Sequence, residues 1–333
     1  MAPIISPDRL SKFIAQLDRA FGANSSGDQE LFSADLSTDC FHPVNRCSGS
    51  KEFFDRVILP IQSAFGSLRR KVDIAMEGEW SPSGQTPQRW ISLMGHYVGQ
   101  HRESLYGIPP TQRLGSVRFG EFYRVEGDQV IAAKIIWDLP GLCAQVGRPV
   151  FTPSKGMEWL IPGPFSQDGV LRPHESRVQS NQSLRLVESM IAGLMDYDGV
   201  SLESMGMRRF WSSDMLWHGP WGIGSSSGLG GFQDVHQRPF LKAFPDRKGG
   251  NHSARFADGP YVCSTGWPSI RATHLGEYLG HPPTGRPITM RVMDWWRVEN
   301  GLLSENWVFI DLPHLFLQLG RNLLPDFPEA FKL

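Results

Sequence analysis

Cysteine is scarce in this chain, long apolar runs are missing, and so is any block of like charge. Four cysteines, Cys40, Cys47, Cys143 and Cys263, are scattered over 333 residues with no CxxC pair. Such spacing speaks against a zinc knuckle and fits buried thiols of a reducing compartment. No apolar stretch reaches the roughly 18 residues that a membrane-spanning helix needs. The N-terminal segment MAPIISPDRLSKFIAQLDRAFG has no apolar run of signal-peptide length. Lys and Arg number 33 against 34 Asp and Glu, a formal net charge of -1, with pI about 6.8. No basic run tracks a phosphate backbone, so no nucleic-acid partner and no membrane are expected. HExxH is absent. The glycine-rich run GIGSSSGLGG, starting at Gly222, lacks the Lys-Ser/Thr ending of a phosphate loop. Its Ser225, Ser226 and Ser227 read as a flexible loop and not as nucleophiles. The expectation is a soluble, cytoplasmic protein.

What is present is a repeat. QHRESLYGIPPTQR, starting at Gln100, and THLGEYLGHPPTGR, starting at Thr273, share a His, a Gly six residues on, then Pro-Pro-Thr and Arg. A shift of 173 residues brings His101 onto His274, Gly107 onto Gly280 and Arg113 onto Arg286. Over residues 95–148 and 268–321 roughly a third of the positions are identical, a long period that means a duplicated domain. Upstream the shift changes by a few residues, placing FFDRVILPIQSAF (from Phe53) on FQDVHQRPFLKAF (from Phe232) and His42 on His218. The division expected is a first domain over 1–150, a Pro/Gly-rich linker over 151–176 and a second domain over 177–333.

Each copy opens with an amphipathic helix. Leu10, Phe13, Ile14, Leu17 and Phe21 form one apolar face in the first; Leu184, Leu186, Val187, Met190, Ile191 and Leu194 are the apolar residues of the second. A second short helix is expected around 51–65 and 231–244. Strands follow, with hairpin turns at Glu126-Gly127-Asp128 and Asn300-Gly301, then a last helix. Helices first and an antiparallel sheet after them define an α+β unit, and a curved sheet around helices leaves a cone with one open mouth.

The segments LWHGPWGIG, GLGGFQDVHQRPFLKAFPD, ATHLGEYLGHPPTGR and DWWRVENGLLSENWVFIDLPHLFLQLG, all in the second half, resemble the SnoaL-like polyketide cyclases of the nuclear transport factor 2-like superfamily. The first half is a more divergent copy. It keeps IPPT and DLPGLCAQVG but reads FHPVNRCSG where the second has HGPWGIG. The resemblance implies a tandem of α+β conical barrels, a pseudodimer within one chain. It also implies an activity of cyclase, isomerase or hydrolase type, with neither metal nor cofactor, on a small apolar or aromatic carbonyl-bearing ligand. Pairing into a further homodimer stays open. The family's key Asp stands three residues before the Asp of D-L-P, and here that position is Val308 in the second copy and Ile135 in the first.

An aldol-type closure needs a base beside a carbonyl and a donor for the enolate oxygen. Asp294 alternates with Val292 and Trp296, so it points into the cone, where an apolar setting would raise its pKa. The other reading of Asp294 is a buried acid paired with Arg291 or Arg297. Glu121 is its first-copy counterpart. His218 and His274 are the candidate donors. His218 could equally hold the loop that follows it, and His274 could anchor the Pro-Pro-Thr corner. Trp217, Trp221, Trp296, Trp307 and Tyr278 are the candidate walls of a flat aromatic pocket. The same tryptophans could instead fill the cone, leaving a binding or structural protein. Asp138 and Asp311 read as helix N-caps, and Arg113 and Arg286 as structural.

Overall fold

The computed structural model describes residues 7–22, 28–82, 85–151, 153–172 and 176–324. The chain divides after Pro149 into two compact units. The first also takes Phe165–His174 and the chain from Asn322 on; the second comprises Val150–Pro164 and Glu175–Arg321. The Pro/Gly-rich segment is therefore shared out. Gly169 accepts a hydrogen bond from the Ala75 amide (2.9 Å) in the first unit, while Met157 and Ser225 exchange backbone hydrogen bonds (2.7 and 2.8 Å) in the second.

In the first unit α1 (Pro7–Phe21) is followed by β1 (Phe32–Cys40), β2 (Arg46–Ser48), α2 (Ser50–Phe53), α3 (Leu59–Ala64), β3 (Phe65–Trp80), β4 (Gln88–His101), β5 (Leu114–Glu126), β6 (Gln129–Trp137) and α4 (Leu139–Gln145). The second unit runs α5 (Arg177–Leu194), β7 (Trp211–His218), β8 (Ser225–Ser227), α6 (Gly228–Phe232), α7 (Arg238–Ala243), β9 (Lys248–Gly249), β10 (His252–Asp258), β11 (Tyr261–Thr273), β12 (Pro287–Glu299), β13 (Leu302–Ile310) and α8 (Leu312–Gln318). The sheet orders, β2-β1-β6-β5-β4-β3 and β8-β7-β13-β12-β11-β10, are the same order drawn twice; β9 adds to β11. Each unit is α+β, as the repeat requires.

Three local features differ from the sequence expectation. The sheets are not wholly antiparallel, because β1 runs parallel to β6 and β7 parallel to β13. Both strands lie between helices, and β1 (FSADLSTDC) carries too few large apolar side chains to announce itself. The serine run at 225–227 is a strand on β7, not a loop. The second helix of each unit is interrupted by a π-turn, Phe54–Ile58 and Gln233–Gln237. Pro60 and Pro239, just beyond, have no amide hydrogen to continue the ordinary ladder, which is where a wider turn costs least.

The repeated His-Gly-Pro-Pro-Thr-Arg frame is a corner. Leu105 bridges Ile108, and Tyr278 bridges His281, across two-residue turns. Both turn residues have positive φ: 48° and 79° at Tyr106-Gly107, 48° and 77° at Leu279-Gly280. Glycine relieves the second of these two positions. Asp138 and Asp311 cap α4 and α8, accepting from the Gly141 and His314 amides.

Candidate functional site

In the second sheet Asp294 lies directly opposite Ser264 on β11 and Val308 on β13, while Ser264 faces Arg255 on β10. Paired residues share a face, so Arg255, Ser264, Asp294 and Val308 form one row across the sheet. On the same face Trp217, Asn306 and Trp296 form the adjacent row. That face looks toward the helices. The Trp217 ring packs on Phe232 (centroids 5.4 Å apart) and stacks on His236 (4.7 Å), both on the α6–π-turn helix.

Asp294 makes no ion pair among the described residues. Arg291 is engaged by Asp311 (3.0 Å), and Arg297 by Glu299 and Glu305 (3.3 and 3.6 Å). Burial pushes the Asp294 carboxyl up to about 7, against the opposing pull of the Asn306 side chain and the more distant charge of Arg255. Its side chain nonetheless keeps partial solvent exposure.

The corresponding positions of the two units are packed differently. Positions 119, 135 and 137 hold Phe, Ile and Trp, with relative exposures of 0%, 0% and 1%. Their counterparts Val292, Val308 and Ile310 are smaller on average and retain 8%, 6% and 6%. Tyr97 of the first unit gives way to Ile270. The aromatic cluster Phe21, Phe41, Tyr97, Phe119 and Trp137 fills the first cone. Glu121 there is fully buried and bound by Arg70, by the Tyr97 hydroxyl (2.7 Å) and by the Tyr123 hydroxyl (2.9 Å). The first cone is packed, and its carboxylate is spoken for.

The other sequence candidates do not converge on Asp294. His218 pairs with Trp307, and Trp307 with Trp295, so His218 and Trp307 occupy the opposite face of the sheet. There His218 approaches the Ser225 hydroxyl (3.3 Å) and stacks on Trp307 (5.7 Å), whose indole nitrogen donates to the Pro162 carbonyl (3.0 Å). His274 is fully buried just past Thr273, which pairs with Pro287. Position 287 is seven residues from 294, roughly 23 Å along the strand. His274 contacts the Thr284 hydroxyl (3.1 Å) and ties the corner, like His101; burial lowers the pKa of both. Tyr278 is buried in the same corner against Phe244 (5.1 Å) and Phe316 (6.4 Å). Trp221 sits half-buried in the turn after β7. Trp217 and Trp296 are thus the two candidate walls that share a face with Asp294.

Sequence reasoning passed over His236, Arg255 and Asn306. His236 is a half-buried imidazole on the π-turn whose Nδ1 has no hydrogen-bond partner, and burial pushes its pKa down to about 4. It is neutral at pH 7. A signal was available, since the aligned first-copy residue is Val57, and a His at an apolar position invites the question. Among the described residues no three His, Cys, Asp or Glu side chains cluster in a way that could hold a metal ion. No helix among them is long and apolar enough to cross a membrane.

Each unit is a sheet with helices across one face, and the strand order is the same in both. Residues 202–319, within the second unit, match the model of the SnoaL-like polyketide cyclase family. Similar solved structures include IdmH, a candidate polyketide cyclase from Streptomyces antibioticus (28% identity, 40% of this chain and 98% of that one, TM-score 0.33). AclR, a candidate hydroxylase from Streptomyces galilaeus, is 24% identical over 45% of this chain and 87% of its own (TM-score 0.35). An NTF2-like protein from Burkholderia xenovorans is 13% identical over 42% and 96% (TM-score 0.33). No curated protein matches the chain.

Proposed function

We propose that the second unit is a cofactor-independent acid–base enzyme of cyclase, isomerase or hydrolase type, acting on a small, largely apolar carbonyl compound held in its cone. The observation that carries this reading is the unpaired Asp294, its carboxyl pushed up to about 7 on the face lined by Trp217 and Trp296. A base with that pKa is half-ionised near neutral pH and can take a proton beside a carbonyl. The family resemblance implies a carboxylate at position 308, where this chain has Val. Asp294 is the residue directly across the strand pair from Val308, about 5 Å away between side-chain roots. The carboxylate has moved one strand and still faces the same space. His236, neutral on the helix side, supplies a donor for the developing enolate oxygen, and Trp217 and Trp296 hold a flat ligand between them.

The test is deuterium exchange next to the carbonyl in a panel of aryl ketones and β-keto esters, run beside ligand titration. Asp294→Asn should cut exchange by about 10²-fold or more while affinity stays within a factor of about three. Exchange that survives the substitution, or exchange and affinity lost together, counts against Asp294 as base. The second reading, a protein that binds such ligands without turnover, is favoured by Val308 itself; ligands that bind the native chain without exchanging would establish it.

A further inference from the structure

Arg255 is a buried guanidinium, 8% exposed, on the face of the sheet that carries Asp294. Its hydrogen-bond partners are neutral. Nε donates to the Ser264 hydroxyl (3.3 Å), and a terminal nitrogen lies 2.8–2.9 Å from the His252 ring. His252 is uncharged at pH 7, pushed down to about 4 by its burial and by Arg255 itself. Among the described residues Arg255 forms no ion pair. The charges of Glu188 and Asp294 reach it only at longer range, and burial lowers its own pKa. A buried cation without a carboxylate is costly, and proteins keep one where a ligand completes it.

The first unit shows the alternative. There Arg70, opposite Tyr97, clamps Glu121. The strand position opposite the Tyr97 counterpart, Ile270, is Gly249 in the second unit, which has no side chain to clamp anything. The second unit instead places its cation at Arg255. The position across from Leu93, which corresponds to Ser264, is held in the first unit by Ala75. The cation has therefore been taken off the carboxylate and set two strands away from it, about 10 Å between backbones.

We infer that the cone's ligand is an anion: a carbonyl compound bearing a carboxylate, which pairs with Arg255 while its reactive carbon lies at Asp294. Planar guanidinium and carboxylate match in a bidentate pair, and Ser264, between the two residues, offers a hydroxyl to the same ligand. This rests on the cone's reading as a carbonyl site but is tested apart from it.

The probes are 4-acetylbenzoate and its methyl ester, which share ring and ketone and differ in the charge. Affinity is read by calorimetry at pH 7.5 on the full chain. The acid should bind at least about tenfold tighter than the ester. Arg255→Gln should remove that preference by weakening the acid alone, and Arg255→Lys should keep part of it. Equal binding of acid and ester, no binding of the acid, or a preference that persists in Arg255→Gln overturns the inference. Should Arg255→Gln not fold, Arg255→Lys decides, because a point charge without the planar fork must lower the acid-to-ester ratio. Ester binding and Asp294-dependent exchange without an acid preference would sink the anion and leave the proposed enzyme standing.

Discussion

Glu121 and Asp294 stand at the same position in two equivalent sheets, directly across from Ile135 and Val308, and are held in opposite ways. Glu121 is bound on every side by Arg70, Tyr97 and Tyr123. Asp294 is bound by no cation, and its environment favours the proton. One duplicated position holds a buried ion pair in the first unit and a carboxyl without an ion pair in the second.

The pH dependence of Asp294 follows from the sign of its shift. Its pKa is about 7 folded, against an ordinary 3.8. The folded chain therefore holds the proton more tightly, and this contribution to stability is fully present below about pH 4 and lost as pH rises through about 7. Its full size is at most about 4 kcal/mol. Asp294→Asn is expected to raise the midpoint of thermal unfolding at pH 8 and to change little at pH 4. Activity should run the other way, rising with pH to a plateau above about 7, since the ionised form is the base. A stability gain equal at both pH values would show that the carboxyl is not shifted.

Glu121→Gln leaves the buried Arg70 guanidinium with only the partly exposed Asp18 as counter-charge. Such half-broken buried pairs cost about 3–5 kcal/mol. Denaturant unfolding should show that loss, while ligand affinity in the second cone is unchanged. A stability change below about 1 kcal/mol would mean that the tyrosine hydroxyls and Asp18, which also bonds Arg70 (3.0 Å), hold the cation unaided.

The duplication, the α+β class, the opening helices, both hairpin turns and the capping aspartates were all legible in the sequence, because each has a local signature in spacing or turn chemistry. Asp294 was legible for the same reason, since alternation with Val292 and Trp296 fixes its face once β12 is recognised. His218 and His274 were chosen by their match to the repeat and the family, and a match does not reveal which face of a strand a residue takes. That is set by pairing between β7 and β13, far apart in the chain. β7 itself reads weakly, because WSSDMLWH is buried only in part. Arg255 acquires meaning only when β10 and β11 are laid side by side, and its lack of an ion pair is a fact of three dimensions.

His236 carries a second pH signature of opposite sense. Burial holds it at about 4, below the ordinary 6.5. The folded state resists the proton that the unfolded state accepts, so this contribution is full above about pH 6.5 and lost as pH falls toward 4. It amounts to at most about 3 kcal/mol. His236→Val, the residue of the first unit, should move acid unfolding to lower pH. An unmoved acid transition would place His236 in contact with water.

The two faces of β7 offer the sharpest test of the site, because Trp217 and His218 are adjacent in sequence and opposed in space. Trp217 stacks on His236 over the helix-side face that carries Asp294. His218 stacks on Trp307 and meets Ser225 on the other. Trp217→Ala should therefore weaken binding of an aromatic ketone by about tenfold or more, the worth of one lost aromatic wall. His218→Ala should cost about 1–3 kcal/mol of stability through its lost packing and polar contact, with affinity within about threefold of the native chain. Fluorescence titration of both variants, beside their thermal unfolding, reads all four quantities. Should His218→Ala destroy binding while Trp217→Ala spares it, the ligand lies on the Trp307 face, and the cone carrying Asp294 is not the site.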